Sequence, residues 1–258
     1  MSSPLLMLGP WTLSGWDLLL IVAVSIHGTA LAYVPSPRWK AFLLTLPVPF
    51  TLSSLSLGRP VAAHNVLGLV LLLGYTYGVY LLRTRLRVPI VAAIVACAAA
   101  YCLAGAALAP HVPATDLAFW LSAGSVFLSG VVLFRLLLHR EEPSHRSPLP
   151  VFIKLPSIAL VILVLVIIKQ PLQGFMTLFP MVGVIASYEG RHCLWTLTRQ
   201  IPVIMMTLLP MMATMRLVYP WVGMGWSLAA GWAVFIVVLV VLTRRHWAEE
   251  ALEEAVVA

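Results

Sequence analysis

Residues 83–110 read RTRLRVPIVAAIVACAAAYCLAGAALAP. Three arginines, Arg83, Arg85 and Arg87, stand at one end, and no charged residue occurs from Val88 to Ala109. A helix needs roughly 20 apolar residues to cross the hydrocarbon core of a bilayer, and this run supplies them. The residues do not alternate between apolar and polar as barrel strands do. In lipid the backbone groups must be bonded within their own segment, so the run requires a helix. Pro89 and Pro110 mark its ends.

The same pattern recurs in both directions. Spans are expected at 13–34, 39–57, 61–82, 88–109, 115–138, 151–168, 172–189, 197–217 and 221–243. Pro35 and Pro37 close the first, the Gly58-Arg59-Pro60 turn closes the second, and Pro110 and Pro113 precede the fifth. Thirteen of the sixteen Lys and Arg residues fall on segment ends that this count puts on one side; only Arg59, Lys169 and Arg216 fall on the other. The basic side is the cytoplasmic one, which puts the N-terminus outside and the C-terminus inside. Trp residues agree independently. Trp11, Trp16, Trp120 and Trp221 fall on the outer side and Trp39, Trp195 and Trp247 on the inner side, as two interfacial belts.

Composition narrows the class further. The chain has 258 residues, of which 61% are hydrophobic and 10% charged, with a mean hydropathy of +1.00. A soluble domain carries about 25% charged residues. No polar stretch is long enough for a separate soluble domain, so residues 1–258 form one membrane domain. The net charge of +7 does not point to nucleic acid, because the charges are short flanks between apolar runs; their partner is the anionic headgroup layer. Met1–Pro10 has no basic residue and does not read as a signal peptide. Cys97, Cys102 and Cys193 give no disulfide framework.

The polar segment Arg140–Arg146 divides the chain after the first span into two sets of four, with landmarks at a nearly constant offset. Lys40 and Lys154 open the sets. Arg59-Pro60 answers Lys169-Gln170-Pro171, Tyr77 answers Tyr188, and Pro89, Pro110 and Trp120 answer Pro202, Pro220 and Trp232. The expected fold is an all-α polytopic membrane protein of about nine transmembrane helices. It comprises an N-terminal span (13–34), two parallel four-helix repeats (39–140 and 151–247) and an acidic cytoplasmic tail (248–258). An even number of spans makes such repeats parallel.

Within the second half, Lys154, Lys169, Gly174, Leu178-Phe179-Pro180, Ile185-Ala186 with Tyr188, Leu197-Thr198-Arg199 and Pro210 stand out. On these residues, 151–247 resembles the GlpM-like small bacterial inner-membrane proteins. Ser187 departs from the pattern, which has His there. The resemblance implies a four-span unit and a multi-pass location in the bacterial inner membrane. It implies no established reaction or substrate.

Ionisable groups in membranes are costly and raise a functional question wherever they occur. Arg59 and Lys169 occupy equivalent outer span ends. They form either a pair of cations that attract an anion or two side chains snorkelling to headgroups. His64, Asn65, Gln170 and Gln173 lie close by in sequence, at the start of the following helices. Glu189 is either a carboxylate that couples protons to transport or an interfacial residue paired with Arg191. Tyr188 can lend a hydroxyl to a substrate or belong to the aromatic belt. The methionines Met205, Met206, Met211, Met212 and Met215 face several directions and read as adaptable packing rather than a Cu(I) site. No HExxH, Walker, dinucleotide or GxSxG motif occurs, and no cofactor is expected. Two functions follow. One is a transporter-like protein or permease component for a small anionic solute. The other is a non-catalytic subunit of a larger membrane complex, or a homo-oligomer, packing through the small residues around Ala92–Gly105.

Overall fold

The computed structural model describes residues 6–8, 11–13, 15–137, 142–143, 149–169, 175 and 177–257. A short antiparallel hairpin comes first, β1 (Leu6–Leu8) and β2 (Trp11–Leu13), with Leu6 opposite Leu13. The all-α expectation did not include it. The elements that follow are helices: α1 (Gly15–Tyr33), α2 (Pro37–Thr45), α3 (Val48–Leu57), α4 (Ala63–Thr84), α5 (Ile90–Leu108), α6 (Asp116–Leu136), α7 (Val151–Lys169), α8 (Met181–Glu189) and α9 (Leu194–Val257). Among the described residues six stretches are long and apolar enough to cross a membrane. They are α1, α2–α3 taken together, α4, α5, α6 and the part of α9 up to Arg244. Composition and length together mark a membrane-embedded helical protein.

Four expected spans come out differently, each at a proline or glycine. The span 39–57 is two helices. Pro47 has no N–H, so the Leu43 carbonyl four residues back lacks its helical donor. The Leu46 N–H and the His27 Nε2 of α1 reach that oxygen instead, at 3.1 and 2.8 Å. Among the described residues the span 172–189 is α-helical only from Met181, after Pro180. At about 1.5 Å per residue α8 covers roughly 14 Å, under half of a bilayer core. Met181, Ile185 and Ala186 are buried in the core that α8 shares with α1, α5 and α7. Irregular backbone at membrane depth is tolerated where protein encloses it in this way. The spans 197–217 and 221–243 both belong to α9, and the backbone departs from helix at Gly223 (φ 73°, ψ −175°) rather than at Pro220. That conformation suits a residue without Cβ. The acidic tail 248–258 continues α9 as far as Val257.

Two cores share α4 and α9. The first joins α1, α5, α7 and α8 through Leu20, Val24, Tyr101, Ile162 and Ile185, and receives Tyr75 and Val79 from α4 and Leu194 and Leu197 from α9. The second joins α3, α6 and α9 through Phe50, Phe119, Ile201 and Phe235, and receives Val66 and Leu69 from α4. All five α9 methionines named above are at most 5% exposed, and four of them, Met205, Met211, Met212 and Met215, lie within the second core. A Cβ at Gly231 would lie 2.8 Å from Met215 Cγ, so the two arms of α9 approach closely there. The halves do not share one helix plan. The first opens on a helix broken at Pro47 and continues with unbroken α4, whereas the second opens on continuous α7 and continues with short α8.

Candidate functional site

At one end of the molecule α3 closes on Gly58 (φ 60°), and Arg59-Pro60 carries the chain into α4. The Asn65 side chain fixes that start. Its Oδ1 accepts from the Ala62 N–H at 2.8 Å, and its Nδ2 donates to Thr177 Oγ1 at 2.9 Å. His64 Nε2 lies 3.0 Å from the Ala109 carbonyl oxygen, and its ring meets Phe175 edge-on. Arg216 arrives from α9. Its Nε donates to Asp116 Oδ1 at 3.1 Å, its Nη1 donates to the Val61 carbonyl, and its guanidinium lies over the Phe119 ring. Thr115, not Asp116, caps α6, accepting from the Ala118 N–H.

These groups border a vestibule of about 360 Å³, with Ser54, Arg59, His64, Asn65, Thr177 and Arg216 on its walls. Arg59 is exposed and has no bonded partner among the described residues, whereas Arg216 is shared with Asp116. The Ser54 hydroxyl is buried, at 3% exposure, with no hydrogen-bond partner. The expected Arg59, His64 and Asn65 therefore meet in one cavity. The Lys169 side chain, Gln170 and Gln173 lie outside the described residues. Arg216 supplies the second cation on this cavity's wall.

Deeper in, a pocket of about 70 Å³ lies between the α2–α3 break and the start of α8. Its walls are largely apolar, including Leu46, Pro47, Phe50, Phe179, Pro180 and Met181, with hydroxyls from Thr45, Thr76, Thr177 and Ser187. Thr177 borders both cavities, so the Asn65–Thr177 hydrogen bond stands where they meet. Tyr75 donates to Ser187 Oγ at 3.4 Å, and Gln200 Nε2 donates to Thr45 Oγ1 at 2.6 Å.

At the other end three ionisable side chains converge. Lys154 Nζ lies 2.7 Å from Glu189 Oε2, and Lys40 Nζ donates to the Glu189 backbone carbonyl at 3.4 Å. Lys40, Lys154 and Glu189 are 0%, 5% and 4% exposed. The expected pairing of Glu189 with Arg191 is corrected: Lys154 of α7 holds the carboxylate, while Arg191 donates to the Tyr188 carbonyl and stacks on the Tyr188 ring. Tyr188 lies apart from the two cavities described. Its side chain is 46% exposed and borders neither cavity. Neighbouring helix residues point about 100° apart, so Ser187 faces the central pocket and Tyr188 does not. Cys193 lies beside Lys40. Burial pushes its thiol up to about 11, the Lys40 charge pulls it down and Glu142 pushes it up.

Several contributors have no local sequence signal. Thr177, Ser54, Tyr75 and Ser187 are single hydroxyls in apolar surroundings, indistinguishable from packing residues before the fold is known. Glu142 had a signal in its polar loop. Its carboxylate accepts from the Trp195 and Thr196 N–H groups at 3.1 and 2.7 Å, capping the start of α9. No family model matches the chain, and no curated protein and no solved structure matches it.

Proposed function

We propose that the protein is a transporter-like protein, or permease component, of the bacterial inner (cytoplasmic) membrane, handling a small anionic solute. The N-terminus is outside and the C-terminus cytoplasmic. In this reading nine segments cross, as an N-terminal helix and two parallel repeats, the second GlpM-like. The stretch Leu194–Arg244 would measure about 76 Å if straight, more than twice a bilayer core of about 30 Å, so its two arms cross separately at Gly223. Lys40 and Lys154, equivalent by the repeat, both reach Glu189, which supports the alignment. Arg216–Asp116 and Lys154–Glu189 each tie together segment ends that the count assigns to one side, which supports the topology.

One observation carries the functional reading: among the described residues Arg59 borders the vestibule with no bonded partner, and the Ser54 hydroxyl on the same wall has none either. A cation and a donor free of internal partners suit an incoming oxyanion. The interrupted helices α2–α3 and α8 face one central pocket, the arrangement in which secondary transporters hold a substrate. Glu189 serves the opposite end: a proton on its carboxylate would release Lys154 and uncouple α7 from α8.

The test is uptake of a panel of small anions into proteoliposomes, with Arg59→Gln and Arg216→Gln beside the parent. Parent uptake well above empty vesicles, reduced several-fold by Arg59→Gln, supports the reading. A folded parent that carries none of them removes it. A second reading, a structural subunit of a larger membrane complex, is favoured by the outward face of α5, where Ala92, Ala96, Ala99, Ala100, Ala106 and Ala107 are exposed. Native mass spectrometry decides: a stoichiometric complex with other membrane subunits selects it, and a partner-free monomer or homodimer rejects it.

A further inference from the structure

The two cavities differ in what they offer a solute. Among the described residues the vestibule is bordered by two cations, Arg59 before α4 and Arg216 on α9, with His64 on α4 the other titratable group on its walls and Asp116 of α6 paired with Arg216. Among the described residues the central pocket has no charged side chain on its walls. Its hydroxyls are largely committed. Thr45 Oγ1 donates to the Ala41 carbonyl at 3.0 Å and Thr76 Oγ1 to the Leu72 carbonyl at 2.7 Å, so each has only lone pairs left for a ligand. Ser187 Oγ accepts from the Tyr75 hydroxyl and Thr177 Oγ1 accepts from Asn65, so the donors on these walls are at most neutral hydroxyls. A buried anion needs a paired charge to offset its lost hydration, and the described walls supply none. A neutral carboxylic acid has no charge to desolvate, and the lone pairs of Thr45 and Thr76 can receive its O–H.

Resting on the transport reading above, we infer that the solute is the conjugate base of a weak acid, gathered as the anion in the vestibule and passed through the central pocket as the neutral acid. The proton comes from solvent in the vestibule: A⁻ and H₃O⁺ give HA and water, a proton moving onto one carboxylate oxygen. Beyond the pocket HA and water return A⁻ and H₃O⁺. Lys40 and Lys154 stand at that end, where positive charge favours the ionised form, with Glu189 as the carboxylate among them. The net event moves one anion and one proton together and carries no charge. The pocket of about 70 Å³ limits the acid to a few non-hydrogen atoms.

Glycolate and methanesulfonate test this. They are similar in size, but only glycolate can be protonated near neutral pH. Proteoliposomes holding a trapped pH dye would be mixed with each, and empty vesicles subtracted. Glycolate should enter with equivalent acidification of the lumen, indifferent to an imposed potassium diffusion potential. Its rate should rise about tenfold between pH 7.5 and 6.5, because a carboxyl with pKa near 4 gains neutral fraction tenfold per unit in that range. Arg59→Gln should lower the rate and keep the slope. Methanesulfonate should not enter. Methanesulfonate uptake as fast as glycolate, or glycolate flux that follows the potential, would overturn the inference and leave the transport reading standing. Uptake of neither, by protein with an intact melting transition, would overturn both.

Discussion

Replacing Glu189 by Gln removes a charge while keeping the side chain's volume. The Lys154–Glu189 contact is 2.7 Å long, and the two side chains are 6% and 5% exposed. At an effective dielectric of about 20, unit charges at that distance attract by about 6 kcal/mol. Desolvating each ion costs several kcal/mol, so the pair as a whole is worth little net. Its one-sided loss is a different quantity. Glu189→Gln leaves Lys154 charged and buried, with the fully buried Lys40 bonded to the same residue. Breaking a buried pair from one side costs about 3–5 kcal/mol. At about 2–4 °C per kcal/mol for a chain of this size, the thermal midpoint in detergent should fall by roughly 6–20 °C. Lys154→Met should cost a similar amount. The double variant should then melt well above the temperature that adding the two losses gives, because neither charge is left without the other. Losses that add to within about 0.5 kcal/mol, or a Glu189→Gln midpoint within about 2 °C of the parent, would refute the reasoning.

Three further outcomes are expected. A Cβ at Gly190 would meet Leu197 Cδ1 at 2.4 Å and the Ala186 carbonyl oxygen at 2.7 Å; the leucine tip can swing away but the carbonyl cannot. Gly190→Ala should therefore cost about 1–3 kcal/mol, read from the same melting curves. Asn65→Ala loses both the Ala62 N–H cap and the Thr177 bond and should cost about 1–2 kcal/mol, while Asn65→Asp, which keeps the cap acceptor, should recover part of it. Cys193 is 1% exposed and its thiol is pushed above its ordinary 9.0 to about 11. A maleimide at pH 7.5 should label it slowly until the protein is unfolded. Because the folded value is the raised one, its contribution to stability is fully present below pH 9 and is lost as pH rises towards 11. Unfolding midpoints of parent and Cys193→Ala across that window check the sign.

The ends of α1, α4, α5 and α6 fall within a few residues of what hydropathy and punctuation indicate, because length and flanking charge are local properties. Interruptions are not local. Pro156, Pro202, Pro210 and Pro220 all sit inside helices, whereas Pro47 and Pro180 precede the starts of α3 and α8. Which outcome a proline produces depends on whether a neighbour such as His27 satisfies the carbonyl it strands, and that neighbour is on another helix. The same limit governs the site. Arg59, His64 and Asn65 were legible together because one turn holds them. Thr177 and Arg216 reach the same cavity from far along the chain, through contacts that no spacing records. Which of Ser187 and Tyr188 faces the central pocket was not legible, because their helix lacks a strong amphipathic pattern to set its rotation.

The distribution of paired and unpaired charge separates the two ends. Sequence position treats Lys40, Lys154 and Arg59 alike, as basic residues at span ends. Burial and bonding do not. Lys40 and Lys154 are enclosed and spend donors on Glu189, so displacing either means opening the contacts among α2, α7 and α8. Arg59 stands exposed at the edge of an open cavity with no bonded partner among the described residues, so a ligand meets it without breaking a described contact. Binding energy at the vestibule is therefore available to a solute, while at the Lys154 end it is already committed to holding helices together. A solute that entered from the Lys154 end would first have to break a contact whose one-sided loss costs several kcal/mol. Between the vestibule and the central pocket the described contact at the shared residue Thr177 is its neutral hydrogen bond with Asn65, worth about 1 kcal/mol. On the transport reading proposed above, that difference predicts that the Arg59 end opens first, and that substituting Thr177 alters access without altering the ion cluster.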